Sequence, residues 1–278
     1  MEIITPLVTT LELTNKCNLR CRYCYGNCNI KKNKFISNPV SLLSDLDNKG
    51  VYGVELSGGE PLLHPRIYDI FEYIINHFEI KAIITNGTLL KEEHLKILEK
   101  NKRGKISIQI SLDGCNKNSV DRTVGVKGAF ENIIKGINLI KKYELPFRVG
   151  MVVDHPDKID EIEDTLLLAR NLGANLFIAS PLIRYGRGRI MAENFLPEDN
   201  IRLFDEIQRM HGKYKGFFQT IEDIESIEKS KNCGAGSRNI TVDVNGDLKP
   251  CPASIFNIHI GKWNDLYTEK VQDKLKLF

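Results

Sequence analysis

The chain predicts an α/β fold: a parallel sheet with helices packed outside it, closed only part of the way into a barrel. Three observations carry this expectation. An apolar strand, a loop and an amphipathic helix follow one another six times, and parallel strands need such long crossovers. Six units instead of eight suggest an open, partial (β/α)6 TIM-type barrel. The candidate motifs fall just after strands, at the ends where α/β barrels carry their active sites.

The elements read in order as follows. Residues 8–14 alternate as a strand and feed directly into a cysteine loop. Residues 51–57 are the second strand, and 65–77 carry a helical period in Ile67, Ile70, Phe71 and Ile74. The third strand, 80–85, precedes a helix over 91–100, and the fourth, 106–112, precedes a helix over 128–143. The fifth strand is 146–153 with a helix at 159–172, and the sixth is 175–179. A polar loop through Arg184, Gly186 and Gly188 then leads to a helix over 198–211. From about residue 219 the pattern changes. Two short strands, 239–244 and 248–251, are joined by Asn245-Gly246, a strong hairpin signal. The expected organisation is a barrel domain over 1–218 and a small C-terminal β-hairpin/helix module over 219–278.

A length of 278 residues suits one large domain plus a small appendage. The formal charge of +3 arises from 39 basic and 36 acidic residues spread along the chain. The short clusters Lys31, Lys32, Lys34 and Lys102, Arg103, Lys105 read as solvated loops, so no nucleic-acid partner is expected. No apolar stretch approaches the roughly 20 residues of a membrane span, and no secretion signal is legible at the N-terminus. Seven cysteines, an odd count without such a signal, argue against a disulfide framework and for metal binding in the reducing cytoplasm.

Cys17, Cys21 and Cys24 form a CxxxCxxC run with Tyr23 before the last cysteine. Three thiolates on one short loop suit an iron–sulfur cube and leave it one ligand short. Clusters in electron carriers are usually closed by four cysteines, so one iron here is kept open for something else. After the second strand comes Ser57-Gly58-Gly59-Glu60-Pro61. Its glycines let the backbone approach a ligand closely, and Glu60 offers a carboxylate to an ammonium group. A tight β–α turn with an N-capping acid is the plainer alternative.

The cysteine run with Tyr23 resembles the signature of the radical S-adenosylmethionine (SAM) superfamily, and Gly58-Gly59-Glu60-Pro61 resembles its GGEP motif. Thr85-Asn86-Gly87 and Ser111-Leu112-Asp113-Gly114 resemble its TNG and SxDG segments, although both are also ordinary turn sequences. The resemblance implies a [4Fe-4S] cluster on Cys17, Cys21 and Cys24, whose open iron chelates SAM. It also implies reductive cleavage of SAM and hydrogen abstraction by the 5′-deoxyadenosyl radical. SAM contacts are then implied for Tyr23, Gly58, Gly59, Glu60, Asn86 and Ser111. Arg122, in a stretch resembling DRxxG, is a candidate clamp for the SAM carboxylate or a plain surface charge. Arg184 to Gly188 resembles a GRG-type segment, or is a flexible lid.

Cys233 and Cys251 are spaced around Gly246 as in the opening of the SPASM module, which holds auxiliary clusters in many peptide-maturing relatives. The match stops there, since no cysteine follows Cys251. A shortened module, an auxiliary cluster with recruited ligands (His259, Cys28 or Cys115), a zinc site and a vestigial hairpin all remain open. Cys115, next to Gly114, is a candidate hydrogen-atom donor to a substrate radical or a small apolar residue. Cys28 is not expected as a fourth ligand, because it would block SAM.

The leading expectation is therefore a radical SAM enzyme that modifies a ribosomally made peptide or protein. A flavodoxin or ferredoxin is expected as reductant. The first 16 residues leave no room for a fused leader-binding domain, so a separate leader-binding protein is a possible partner. The alternatives are a small-molecule oxidase or cofactor-biosynthesis enzyme and, from another class, a non-catalytic Fe–S or zinc protein.

Overall fold

The computed structural model describes residues 5–30, 32–220, 234–252, 258 and 260–276. The strands are β1 Val8–Glu12, β2 Gly53–Ser57, β3 Ile80–Thr85, β4 Lys105–Ser111, β5 Phe147–Val153, β6 Leu176–Pro181, β7 Phe218–Thr220, β8 Asn239–Val242, β9 Asp247–Lys249 and β10 Gly261–Lys262. Between them run the helices α1 Pro39–Asn48, α2 Ile67–His77, α3 Glu92–Leu98, α4 Lys117–Val124, α5 Ala129–Lys142, α6 Ile162–Asn171, α7 Gly188–Met191 and α8 Pro197–Lys213, with α9 Glu269–Leu275 at the end. All ten strands join one sheet in the order β10-β9-β8-β1-β2-β3-β4-β5-β6-β7.

The six expected strands are present and pair in parallel, β1 to β2 and onward to β6. One β–α repeat is longer than the sequence pattern implied, because β7 adds in parallel to β6. The hairpin strands extend the opposite edge: β8 pairs in parallel with β1 from Val8↔Asn239 to Leu11↔Val242. β9 and β10 then follow antiparallel. Alternation along each strand divides apolar residues under the helices from polar ones on the other face. Phe147, Val149, Met151 and Val153 of β5 are buried, while Arg148 between the first two is half-buried. Arg148 Nη2 lies 3.5 Å from Glu55 Oε1. Their strands stand three spacings apart, roughly 14 Å on a flat sheet. The sheet therefore curls around a concave, charged lumen and stays open, as a partial barrel does.

The outer helices cover the convex face. α2 buries Ile67, Ile70, Phe71, Ile74 and Ile75, and α5 buries Ile133, Ile137 and Ile140. α1 does the same with Leu42, Leu43 and Leu46, Pro39 opening its first turn. α4 starts at Asn116, whose side chain accepts from Ser119 N at 3.0 Å, and stops at Gly125 with φ +67°.

Candidate active site

The loop after β1 carries Cys17, Cys21 and Cys24 at the C-terminal end of the sheet, and neighbouring elements grip it from several sides. From α4, the carbonyls of Val124 and Thr123 accept from Arg20 N and Arg22 N at 2.9 and 3.1 Å. From the end of β5, Asp154 accepts from Arg22 Nε at 2.5 Å and Nη2 at 3.2 Å, with its side chain wholly buried. From the end of β4, Asp113 accepts from the Tyr23 hydroxyl at 2.7 Å and from Val152 N at 2.9 Å. Asn29 closes the loop on itself, accepting from Cys17 N at 3.0 Å and donating to Cys17 O at 2.8 Å.

The glycine-rich segment after β6 seals the same loop. Arg187 donates through N to Cys24 O at 3.0 Å, through Nε to Cys21 O at 2.8 Å and through Nη1 to Cys28 O at 3.0 Å. A Cβ on Gly186 would meet Tyr25 O at 2.4 Å, so the two backbones touch. Arg187 lies in the stretch that resembles a GRG-type segment, but no role of its own is legible in the sequence; its three bonds to the cysteine loop supply one.

The Gly-Gly-Glu turn supplies the adjoining wall. Gly58 has φ +118° and would place a Cβ 2.4 Å from Thr14 O, and one on Gly59 would lie 2.1 Å from Lys16 O. Gly59 N donates to Thr14 O at 2.6 Å and Glu60 N to Lys16 O at 2.8 Å. The Glu60 carboxylate is fully buried and accepts from Thr85 Oγ1 at 2.7 Å, Asn86 N at 2.9 Å and Leu62 N at 3.1 Å. It ties the β2 turn to the β3 turn, the capping role that the sequence also offered. Asn86 in turn donates through Nδ2 to Asn18 Oδ1 at 2.9 Å and points to Cys17 Sγ at 3.9 Å.

Burial pushes the Glu60 carboxyl up to about 7, against lowering by its three donors. The folded protein thus holds a proton that the unfolded chain releases near 4.5. This contribution to stability is complete below that value and is lost as pH rises through 7. Between pH 5 and 8 the melting temperature of the metal-free protein is expected to fall, by up to about 3 kcal/mol of stability. Calorimetry on Glu60→Gln should give a flatter profile over that window; an unchanged slope would assign it to another group.

Burial also pushes Cys17 up to about 11 and Cys21 well above the ordinary thiol range. Cys24 is drawn down to about 6, chiefly by a hydrogen bond from Cys28. Cys28 is buried beside it as hydrogen-bond partner and is pushed up in turn. A bound metal deprotonates its thiols outright, so the sulfurs would lose these protons to a cluster. The donor set suits such a group, with three thiols on one pinned loop and Leu19 N aimed at Cys17 Sγ at 3.4 Å; among the described residues no three metal-ligating side chains are already gathered around one point.

Other candidates lie apart. Ser111 is half-buried at the end of β4, opposite Gly150. Arg122 is exposed on α4 with no ion pair among the described residues, while its neighbour Asp121 accepts from Gly128 N at 2.6 Å and Phe130 N at 3.0 Å. Geometry therefore favours the surface reading of Arg122, and Asp121 fastens α4 to α5. Cys115 is half-buried beside Asn116, whose Nδ2 approaches its sulfur at 3.4 Å. Cys251 follows β9; Cys233 and His259 lie outside the described residues.

A strand-end cysteine loop with a glycine cradle, on an open parallel barrel, defines a class that comparison with known proteins identifies. Residues 11–169 match the family model of the Radical SAM superfamily, and the chain belongs to that superfamily. Its members use a [4Fe-4S] cluster and S-adenosylmethionine. Over 99% of its length the chain is 31% identical to the antilisterial bacteriocin subtilosin biosynthesis protein AlbA of Bacillus subtilis. Over 66% of its length it is 32% identical to the AdoMet-dependent heme synthase of Methanosarcina barkeri. It spans 62% and 52% of those two relatives. The fold is also that of Streptococcus suis SuiB bound to S-adenosylmethionine, at TM-score 0.77 and 18% identity over 99% of this chain and 69% of that one. No helix among the described residues is long and apolar enough to cross a membrane.

Proposed function

We propose that this chain is a radical SAM enzyme that modifies a ribosomally made peptide. The pinned three-cysteine loop against the Gly58–Gly59 cradle carries the reading. Cys17, Cys21 and Cys24 would hold a [4Fe-4S] cluster, which would supply the electron for reductive cleavage of SAM and so the means of hydrogen-atom abstraction from the substrate. The chain's part is to bind, orient and exclude water. Tyr23, Arg22 and Arg187 fix the loop, Glu60 aligns the two turns, and Asn86 meets the cysteine loop from the end of β3. A flavodoxin or ferredoxin is the proposed electron source and the cytoplasm the proposed compartment.

Two features favour a peptide. The likeness to AlbA, a bacteriocin biosynthesis protein, holds 31% identity over 99% of the chain, whereas likeness to heme synthases is 32% over 66% of the chain and falls to 22% where it reaches 86%. The hairpin, part of a proposed C-terminal module over 219–278, borders the cavity beside the cysteine loop. A porphyrin-type small molecule is the second reading, on the strength of the heme synthase alone.

The deciding experiment is anaerobic reconstitution followed by iron and sulfide assay and Mössbauer spectroscopy, with and without Cys17→Ala/Cys21→Ala/Cys24→Ala. About four irons, all lost in the triple variant, are expected for one SAM-cleaving cluster. About eight, with half retained, would add an auxiliary cluster served by Cys251 and Cys233. No iron in the wild type would overturn the proposal.

A further inference from the structure

A cavity of about 700 Å³ opens between the cysteine loop and the hairpin. One wall is Cys24, Gly58 and Gly59, the side that faces the cluster and SAM in the proposed function, on which this inference rests. The rest of the lining is foreign to that chemistry. It holds Glu12 from the end of β1, Asp243 and Asn245 from the hairpin turn, Lys249 from β9, and Lys32 and Lys34. Three ammonium groups thus share the lining with two carboxylates.

Two of these lysines are fixed. Lys249 Nζ donates to Glu12 Oε2 at 3.2 Å and lies 3.4 Å from Asp243 Oδ2, bridging the hairpin to β1. Lys34 Nζ donates to Asn245 Oδ1 at 2.7 Å. An ammonium on a four-carbon stem ordinarily moves freely in water; one already held loses less entropy when it meets an anion.

The remaining bonding capacity decides the sign. Asp243 is occupied by its own turn, accepting from Asn245 N at 2.8 Å and Asp247 N at 3.1 Å besides Lys249. The Glu12–Lys249 contact uses one Glu12 oxygen. An ammonium has three N–H donors, so Lys249 keeps one and Lys34 two beyond the contacts just named. Lys32, with no side-chain contact among the described residues, adds three donors, so about six unused donors stand against about four unused acceptor sites on Glu12 and Asp243, and the lysines exceed the acids by one.

We propose that this cavity is a substrate subsite for a carboxylate of the peptide, an acidic side chain or the chain terminus. Lys249 and Lys34 receive it; Glu12 and Asp243 hold Lys249 in place. Peptides bearing an acidic residue near the modified position are then preferred over their amide counterparts.

The test uses the reconstituted, SAM-loaded protein and three probes: N-acetyl-glutamate amide, N-acetyl-glutamine amide and N-acetyl-alanine with a free carboxylate. Binding is read by saturation-transfer NMR, which needs no turnover. The glutamate and free-carboxylate probes are expected to bind about tenfold tighter than the glutamine probe, the worth of one charge-assisted hydrogen bond. Lys249→Met should erase that difference and Lys249→Arg should keep part of it. Preference for only one of the two carboxylate probes would separate a side chain from a chain terminus. Equal binding of the glutamate and glutamine probes to the wild type would overturn the subsite. So would loss of SAM affinity in Lys249→Met and Lys34→Met, which would assign the lysines to the SAM carboxylate. Iron content and dithionite-driven 5′-deoxyadenosine release, measured alongside, report on the radical SAM reading separately.

Discussion

Gly59→Ala is expected to lower 5′-deoxyadenosine release by about a hundredfold or more, the usual cost of displacing reacting groups by an ångström. The added Cβ would sit 2.1 Å from Lys16 O and 2.6 Å from Lys16 C, both backbone atoms directly before Cys17. Ordinary contact is about 3.5 Å, so the loop or the turn must move by more than an ångström. Neither can yield cheaply. Gly59 N and Glu60 N both bond to this loop, and Glu60 is anchored below by three donors. Gly59 does not have the positive φ that strains an L residue, so the effect is steric alone. Gly212→Ala is the control, since nothing lies within 4 Å of its Cβ and it sits within α8. That variant should be neutral or more stable by up to about 1 kcal/mol. Normal iron content and normal cleavage in Gly59→Ala would show that the cradle is not part of the site.

Much of this frame was legible because the strands are buried on one face and alternate, as in Phe147, Val149, Met151 and Val153 of β5. α1 was missed although Leu42, Leu43 and Leu46 have helical spacing; Ser41, Ser44, Asp45 and Asp47 break the apolar signal of that short stretch. β7 was missed because three residues carry no periodicity, and β10 because two carry less. In the site, local spacing was readable and partnership was not. The cysteine run announces itself. Nothing local says that Tyr23 meets Asp113, 90 residues away, or that Arg187 reaches back 166 residues to Cys21. Motif residues also have partners that the local sequence does not name. In Gly-Gly-Glu the glycines approach the loop, whereas Glu60 is consumed by the next turn. In Asp121-Arg122 the aspartate does the binding and the arginine faces water.

The Arg22–Asp154 pair separates fold stability from site geometry. Asp154 has a wholly buried side chain, and its two oxygens take Arg22 Nε and Nη2. Removing the guanidinium leaves a carboxylate uncompensated in the interior, so Arg22→Leu should cost about 3 kcal/mol or more by denaturant unfolding. Arg22→Lys should recover little, because a point charge cannot reproduce the two-pronged contact. Arg22→Leu/Asp154→Leu removes both charges and should regain most of the loss, since a buried pair is often replaceable by apolar packing. If the pair serves only to hold the sheet together, that double variant should also take up iron normally. The position of Arg22, between Cys21 and Tyr23, argues otherwise. Its side chain is the link from the cysteine loop to β5, and leucine at both positions restores packing without direction. The expected result is therefore a double variant that melts near the wild type yet binds iron poorly. Recovery of both quantities together would mean that the remaining clamps, Tyr23 and Arg187, suffice to aim the three thiols.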